Sequence, residues 1–195
     1  MDDDRKLTFG GRRALNIIGT PNTKLYREEK YPEANTTALR EPDKKILDEI
    51  DGKHSVRQII SGAGLDFETG LHSIAWLMQT GYVYSSEVIE RILQEHSDKL
   101  AFFAEIFSDP EHDQEFWEKV IADIVSGDEE LGECAPGLSW EGLSPAVKEP
   151  PPSPVQLREY FVNVMVALYD KAEEILGADA VLAKRILLDS RRPSM

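Results

Sequence analysis

Four histidines, one cysteine and a glycine pair bear most directly on chemistry: His54, His72, His96, His112, Cys134 and Gly10-Gly11. His112 stands in Asp109-Pro110-Glu111-His112-Asp113, a metal-like composition, yet no second strong ligand shares its helical face as an i, i+4 histidine pair would. An acidic first helical turn, favoured by the helix dipole, accounts for the stretch instead. His96, between Glu95 and Asp98, reads as an ordinary helix side chain rather than a general base. The carboxylates of Glu129, Glu130 and Glu133 beside Cys134 oppose a thiolate, so a nucleophilic role is disfavoured. Gly10-Gly11-Arg12-Arg13 suggests an anion-binding turn, but neither G-x-x-x-x-G-K-[ST] nor G-x-G-x-x-G is present there. The expectation is therefore no catalytic residue, no metal and no cofactor: a chain that is not an enzyme.

The elements that would position any site are mostly helices. Residues 1–40 read as an N-terminal extension, with Leu7-Thr8-Phe9 and Ala14 to Ile18 as short strands around the flexible Gly10-Gly11. From Glu41 the signals sharpen. Pro42 suits a first helical position, and Ile46, Leu47 and Ile50 make an apolar stripe ending at Asp51-Gly52. Ser55-Val56-Arg57-Gln58 is a capping box opening a short helix that Gly62 and Gly64 stop. Asp66 caps a third helix with Phe67, Leu71, Ile74, Leu77 and Met78 on one face, and Tyr82-Val83-Tyr84 reads as a strand. Apolar spacing predicts helices over 86–107 and from Asp109-Pro110 onward through Trp117, Ile121 and Val125. Residues 128–154, rich in proline and acids, read as an exposed linker, extended at its end. A hairpin of helices over 155–190 follows, with Leu157, Tyr160, Phe161, Val164, Leu168 and Ile175 on the core face of the first and Val181, Leu182, Ile186 and Leu187 in the second. The fold class is thus mainly α: a helix-turn-helix unit of winged-helix type with short strands at 41–85, then a helical hairpin at 86–127 and bundle segments.

On the third helix the side opposite its apolar stripe carries Glu68, Thr69, His72, Ser73, Trp76 and Gln79. It has no lysine or arginine, and Asp66 stands at its start. A helix reading the major groove needs cations for phosphates and Arg, Lys, Asn or Gln for bases. Only Gln79 fits the second need, and the nearby Lys53 and Arg57 are too few for the first. Trp76 must be covered, either by the chain from residue 86 onward or by a partner, because an exposed indole is costly and tryptophan is enriched at interface hot spots. Glu68, Thr69, His72, Trp76 and Gln79 are therefore the candidate partner-binding residues.

Ile46-Leu47-Asp48-Glu49-Ile50-Asp51-Gly52-Lys53-His54-Ser55-Val56-Arg57-Gln58-Ile59-Ile60 resembles the I-L-x-x-I-D-G-x-x-T-V-x-E-I stretch of small bacterial winged-helix domains. Leu77-x-x-x-Gly81-Tyr82-Val83 is similar to their closing step. The segment 42–84 looks like the winged-helix part of PatA-type N-terminal domains of bacterial signalling proteins, and like PqqD-type peptide chaperones. Ser55 and Gln58 stand where those families have Thr and Glu; both can still cap. The resemblance implies interaction and signalling rather than catalysis, and it does not extend beyond residue 84.

Charge and length bound the rest. The chain has 195 residues and a formal charge of −14, enough length for one domain or two small ones. The acidity is uneven: +2 over 1–40, −3 over 41–85, −8 over 86–127, −5 over 128–154 and 0 over 155–195. The middle of the chain suits a solvated face or the docking of a basic protein partner. Nucleic-acid binding is disfavoured by the net charge. No apolar run reaches the roughly 18–20 residues of a membrane helix. The acidic start and the lone cysteine fit a cytoplasmic location. The leading expectation is a regulatory or adaptor protein of bacterial signalling that works through protein–protein contacts, with a homodimer through the C-terminal helices. One alternative is a winged-helix DNA-binding transcription regulator whose cations come from 5–13, 24–30 and 184–192. The other is PqqD-like peptide binding at a sheet edge from the first 40 residues.

Overall fold

A computed structural model of the chain describes residues 7–28, 39–127, 137–148 and 151–190. Cys134 with Glu129, Glu130 and Glu133 lies outside the described residues, as do Arg5, Lys6, Lys30, Arg191 and Arg192. The described residues form eight helices and two small antiparallel sheets, in two compact units, Met1–Glu90 and Arg91–Met195. No helix among them is long and apolar enough to cross a membrane.

The first unit holds α1 (Phe9–Ile18), β1 (Leu25–Arg27), α2 (Glu41–Glu49), α3 (Val56–Gly62), α4 (Phe67–Gln79), β2 (Val83–Ser85) and the start of α5 (Ser86–Phe107). Helices α3 and α4 begin where a side chain satisfies their first amides. Ser55 Oγ accepts from Gln58 N at 3.4 Å while Gln58 Oε1 accepts from Ser55 N at 2.9 Å. Asp66 accepts from Thr69 N at 2.9 Å. Gly81, at φ +81°, turns the chain from α4 into β2, a conformation that favours glycine. β2 pairs with β1, with Tyr26 opposite Tyr84 and their rings stacked at 5.6 Å. Ile18, Leu25, Ile46, Val56, Ile59, Leu71, Ile74 and Leu77 are buried together between these elements. Gly70 lets α3 approach α4: a Cβ there would stand 2.5 Å from Ile60 Cγ2.

Two expectations for this unit are corrected. Leu7-Thr8-Phe9 and Ala14 to Ile18 are not strands. Phe9–Ile18 is α1, capped by Thr8, whose hydroxyl accepts from Gly11 N at 3.2 Å. Gly10 and Gly11 looked like a break, but their missing side chains admit α4 instead. Gly11, Ala14 and Ile18 fall at i, i+3 and i+7 and are all buried, so packing outweighs the low helix propensity of glycine. Among the described residues of the first 40, the strand is β1.

The second unit continues α5 and adds α6 (Gln114–Gly127), β3 (Leu138–Glu141), β4 (Ser144–Val147), α7 (Pro154–Leu176) and α8 (Ala178–Ser190). Its core is aromatic. Phe103 and Phe107 stack at 4.0 Å, Trp117 meets both edge-on, and the buried Trp117 Nε1–H donates to Phe107 O at 2.9 Å. Lys184 of α8 donates to the carbonyls of Ile106 and Ser108 at 2.7 and 3.1 Å, capping the C-terminus of α5 with a cation, as the helix dipole favours. Arg185 lies over the Tyr169 ring at 5.0 Å and fixes α8 along α7.

Here too the structure departs from expectation. The linker assigned to 128–154 contains a β-hairpin. Its two-residue turn has Gly142 at φ +59°, followed by Leu143 at negative φ, the type II′ pattern. Pro145 sits in β4 at a position whose missing N–H faces away from β3, so the edge is blunted without breaking the ladder. Helix α6 starts at Gln114 rather than at Asp109-Pro110. Asp109 instead accepts from the amides of Glu111 and His112 in a tight loop, and Asp113 caps the helix through Phe116 N. Of the last helix's apolar residues only Val181 is buried; Leu182, Ile186 and Leu187 are exposed.

Candidate functional site

The outward side of α4 does not act as one surface. Its N-terminal half lies against α1. Glu68 accepts a hydrogen bond from the Thr8 hydroxyl, and a Cβ on Gly11 would come within 3.2 Å of its carboxyl group. His72 is exposed, with Nε2 3.8 Å from Glu68 Oε1, and a Cβ on Gly10 would stand 3.1 Å from its ring. Ser73, expected to point outward, is buried. Thr69 is half-buried; its amide and hydroxyl serve the Asp66 cap and hold that carboxyl below its usual range, the hydroxyl contributing most. Thr8, Glu68 and His72 meet, but they do not compose a nucleophile and its base. The hydroxyl is already engaged by the carboxylate and by Gly11 N, and the imidazole Nε2 stands 3.8 Å from Glu68 Oε1, beyond hydrogen-bond reach of it.

The C-terminal half is different. Trp76 is half-buried. One neighbour is Tyr82, its ring stacked at 6.1 Å and 21°. Another is Arg40, whose guanidinium lies 5.5 Å from the indole centroid. Arg40 is itself held by Asp43. Nε donates to Oδ2 at 2.7 Å and Nη2 to Oδ1 at 2.9 Å, a two-pronged pair, while the Arg40 amide donates to Oδ2 at 3.3 Å. Asp43 is wholly buried and the Arg40 side chain is 61% exposed. The hydrogen bonds it donates to Asp43 raise the pKa of the guanidinium above its ordinary value. Gln79 lies exposed one turn beyond Trp76. Of the candidate residues Glu68 and His72 meet α1, Thr69 serves a helix cap and Trp76 an aromatic ladder, while Gln79 is exposed beyond it.

Arg40, Asp43 and Tyr82 complete that ladder, and inspection of the sequence missed them. Asp43 follows Pro42 like any acid in a first helical turn, and Tyr82 looked like strand. The one available signal was Arg40 three residues before an acid at a helix start, the spacing of a side chain that reaches back.

His112 closes a loop with Asp109, His54 lies beside Asp51, and no group of three or more described His, Cys, Asp or Glu side chains is placed to hold a metal ion. His96 stacks on Phe161 at 4.1 Å. Burial, with the fields of Lys99 and Arg158, lowers its pKa to about 4. Arg57 lies over Phe67 at 5.1 Å rather than beside α4's outward face. No family model matches the chain, and neither does a curated protein or a solved structure.

Proposed function

We propose that the chain is a non-enzymatic adaptor or regulatory protein of the bacterial cytoplasm, acting through protein–protein contacts of the kind its resemblance to winged-helix signalling domains implies. The observation that carries this reading is the Tyr82–Trp76–Arg40 ladder. Tryptophan, tyrosine and arginine are the residues that dominate interface energies, and here Tyr82 and Arg40 meet Trp76 on the outward side of α4, whose opposite face is core. Because Asp43 neutralises Arg40, the ladder offers flat aromatic and guanidinium surface without a net charge, which suits a polypeptide better than a phosphate backbone. Helix α1, lying against Glu68 and His72, stands where a groove-binding helix would meet DNA, which weighs against a transcription regulator. The −8 carried by 86–127 gives a basic partner a second place to bind.

The test compares proteins captured from the native cell by wild type and by Trp76→Ala. We expect one partner to bind wild type and be lost, at least about tenfold, from the variant, measured under conditions where circular dichroism shows the variant folded. Full retention by the variant, or salt-dependent retardation of duplex DNA by wild type, refutes the reading.

One observation favours a second reading, strand addition by a peptide. Glu28 N donates to Tyr82 O and Ser86 N to Lys24 O, so the main-chain groups of Arg27 point away from β2. An added peptide strand would pair there. Slower amide exchange at Arg27 in the partner's presence, with Trp76→Ala binding normally, would select it.

A further inference from the structure

The expectation of a dimer rested on the Tyr160–Leu176 stripe, but that stripe is spent within the unit: Tyr160, Phe161, Val164, Leu168 and Ala172 are all buried. The opposite side of α7 carries a second apolar row. Val155, Val162 and Val166, at i, i+7 and i+11, are 53–59% exposed. On α8, Leu182 and Ile186 are equally open. Six of the seven exposed large hydrophobic side chains of the described residues belong to this hairpin.

Charge narrows what can cover it. The second unit carries −11, all of it before residue 155, whereas 155–195 is neutral, with six cations and six acids. A basic partner is drawn to the acidic stretch and gains nothing on the hairpin. A second copy is repelled everywhere on this unit except at the hairpin, where both surfaces are neutral and apolar. The area agrees. Val155, Val162, Val166, Leu182 and Ile186 expose on the order of 450 Å² per copy, hence about 900 Å² between two copies before any polar rim is added, against the roughly 1,000 Å² that marks a specific interface.

We infer that the α7–α8 hairpin is a homodimer interface, the valine row of one copy packing on the hairpin of another about a two-fold axis. The association is apolar and the two copies carry like charge, so salt does not weaken it. Sedimentation of the full chain from about 1 to about 100 µM gives its mass and dissociation constant. The expected result is twice the chain mass at the upper end, with no weakening between about 0.05 and 0.5 M salt. Val162→Glu with Val166→Glu weakens it at least about a hundredfold, because each copy then places carboxylates in an apolar contact. These side chains are exposed, so the melting temperature of the monomer is retained. The milder Val162→Ser with Val166→Ser reports the same direction should the glutamates unfold the chain. A wild-type monomer at about 100 µM, a dimer dissolved by salt, or a dimer that survives both folded variants overturns the inference.

Discussion

Replacing Arg40 by alanine tests the ladder at its most exposed member. Asp43 has no solvent exposure and takes two hydrogen bonds from the guanidinium, so the substitution strands a buried carboxylate. Removing one partner of a buried pair costs about 3–5 kcal/mol. Arg40 is 61% exposed, so water reaches Asp43 once the guanidinium is gone, and about 2–3 kcal/mol is the better figure. The lost contact with Trp76 adds about 0.5–1 kcal/mol. Urea unfolding followed by circular dichroism and tryptophan emission should show a destabilisation of about 3 kcal/mol. The decisive comparison is a double-mutant cycle with Asp43→Ala. If the two side chains stabilise each other, Arg40→Ala costs about 2 kcal/mol less once Asp43 is already gone. Arg40→Lys, which keeps the charge and loses the fork, should fall between wild type and alanine. A cost under about 0.5 kcal/mol, or an equal cost in both backgrounds, refutes the reasoning.

Three further outcomes follow from single contacts. Gly70→Ala should destabilise by about 1–2 kcal/mol in a thermal melt, since overpacking against Ile60 exceeds the roughly 1 kcal/mol gained in helix propensity. Lys184→Met should cost about 1–2 kcal/mol and speed amide exchange in α8, because two carbonyls at the end of α5 lose their cationic donor. His96 adds a pH dependence. The folded protein holds the ring neutral down to about pH 4, while the unfolded chain takes up its proton near 6.5, so stability is lost as pH falls from about 6.5 to about 4 and then levels off. Allowing for the ring's partial exposure, the loss is about 1–2 kcal/mol, read as the difference in pH profile between wild type and His96→Phe.

Elements set by local chemistry could be read from the residues. The caps at Ser55, Asp66 and Ser153, with the apolar rows behind them, located α3, α4 and α7 because side chain and amide lie within three residues of each other. What depended on distant partners could not be read. Helix α1 forms because Gly11 fits beneath Glu68, sixty residues away in the chain more or less, and nothing in Gly10-Gly11 announces that contact. The 138–147 hairpin was legible in principle. Glu141-Gly142-Leu143-Ser144 supplies the glycine a type II′ turn requires, but the surrounding prolines and acids hid it.

The site shows the same division more sharply. Helical spacing separated Trp76 from the α4 core stripe, since that needs only the angle per residue. It could not tell that Glu68 and His72 on the same side lie against α1, or that Ser73 is buried, because spacing defines a side and not its neighbours. Helix α7 extends the point. Val155, Val162 and Val166 alternate with Leu157, Phe161, Val164 and Leu168, so its sequence is apolar on two opposite sides. Reading one side as core left the other without an assignment. An apolar row on a helix is normally a face to be buried; with one side of α7 filled by its own unit, the valine row is the part still exposed, and it is the part the inferred dimer would cover.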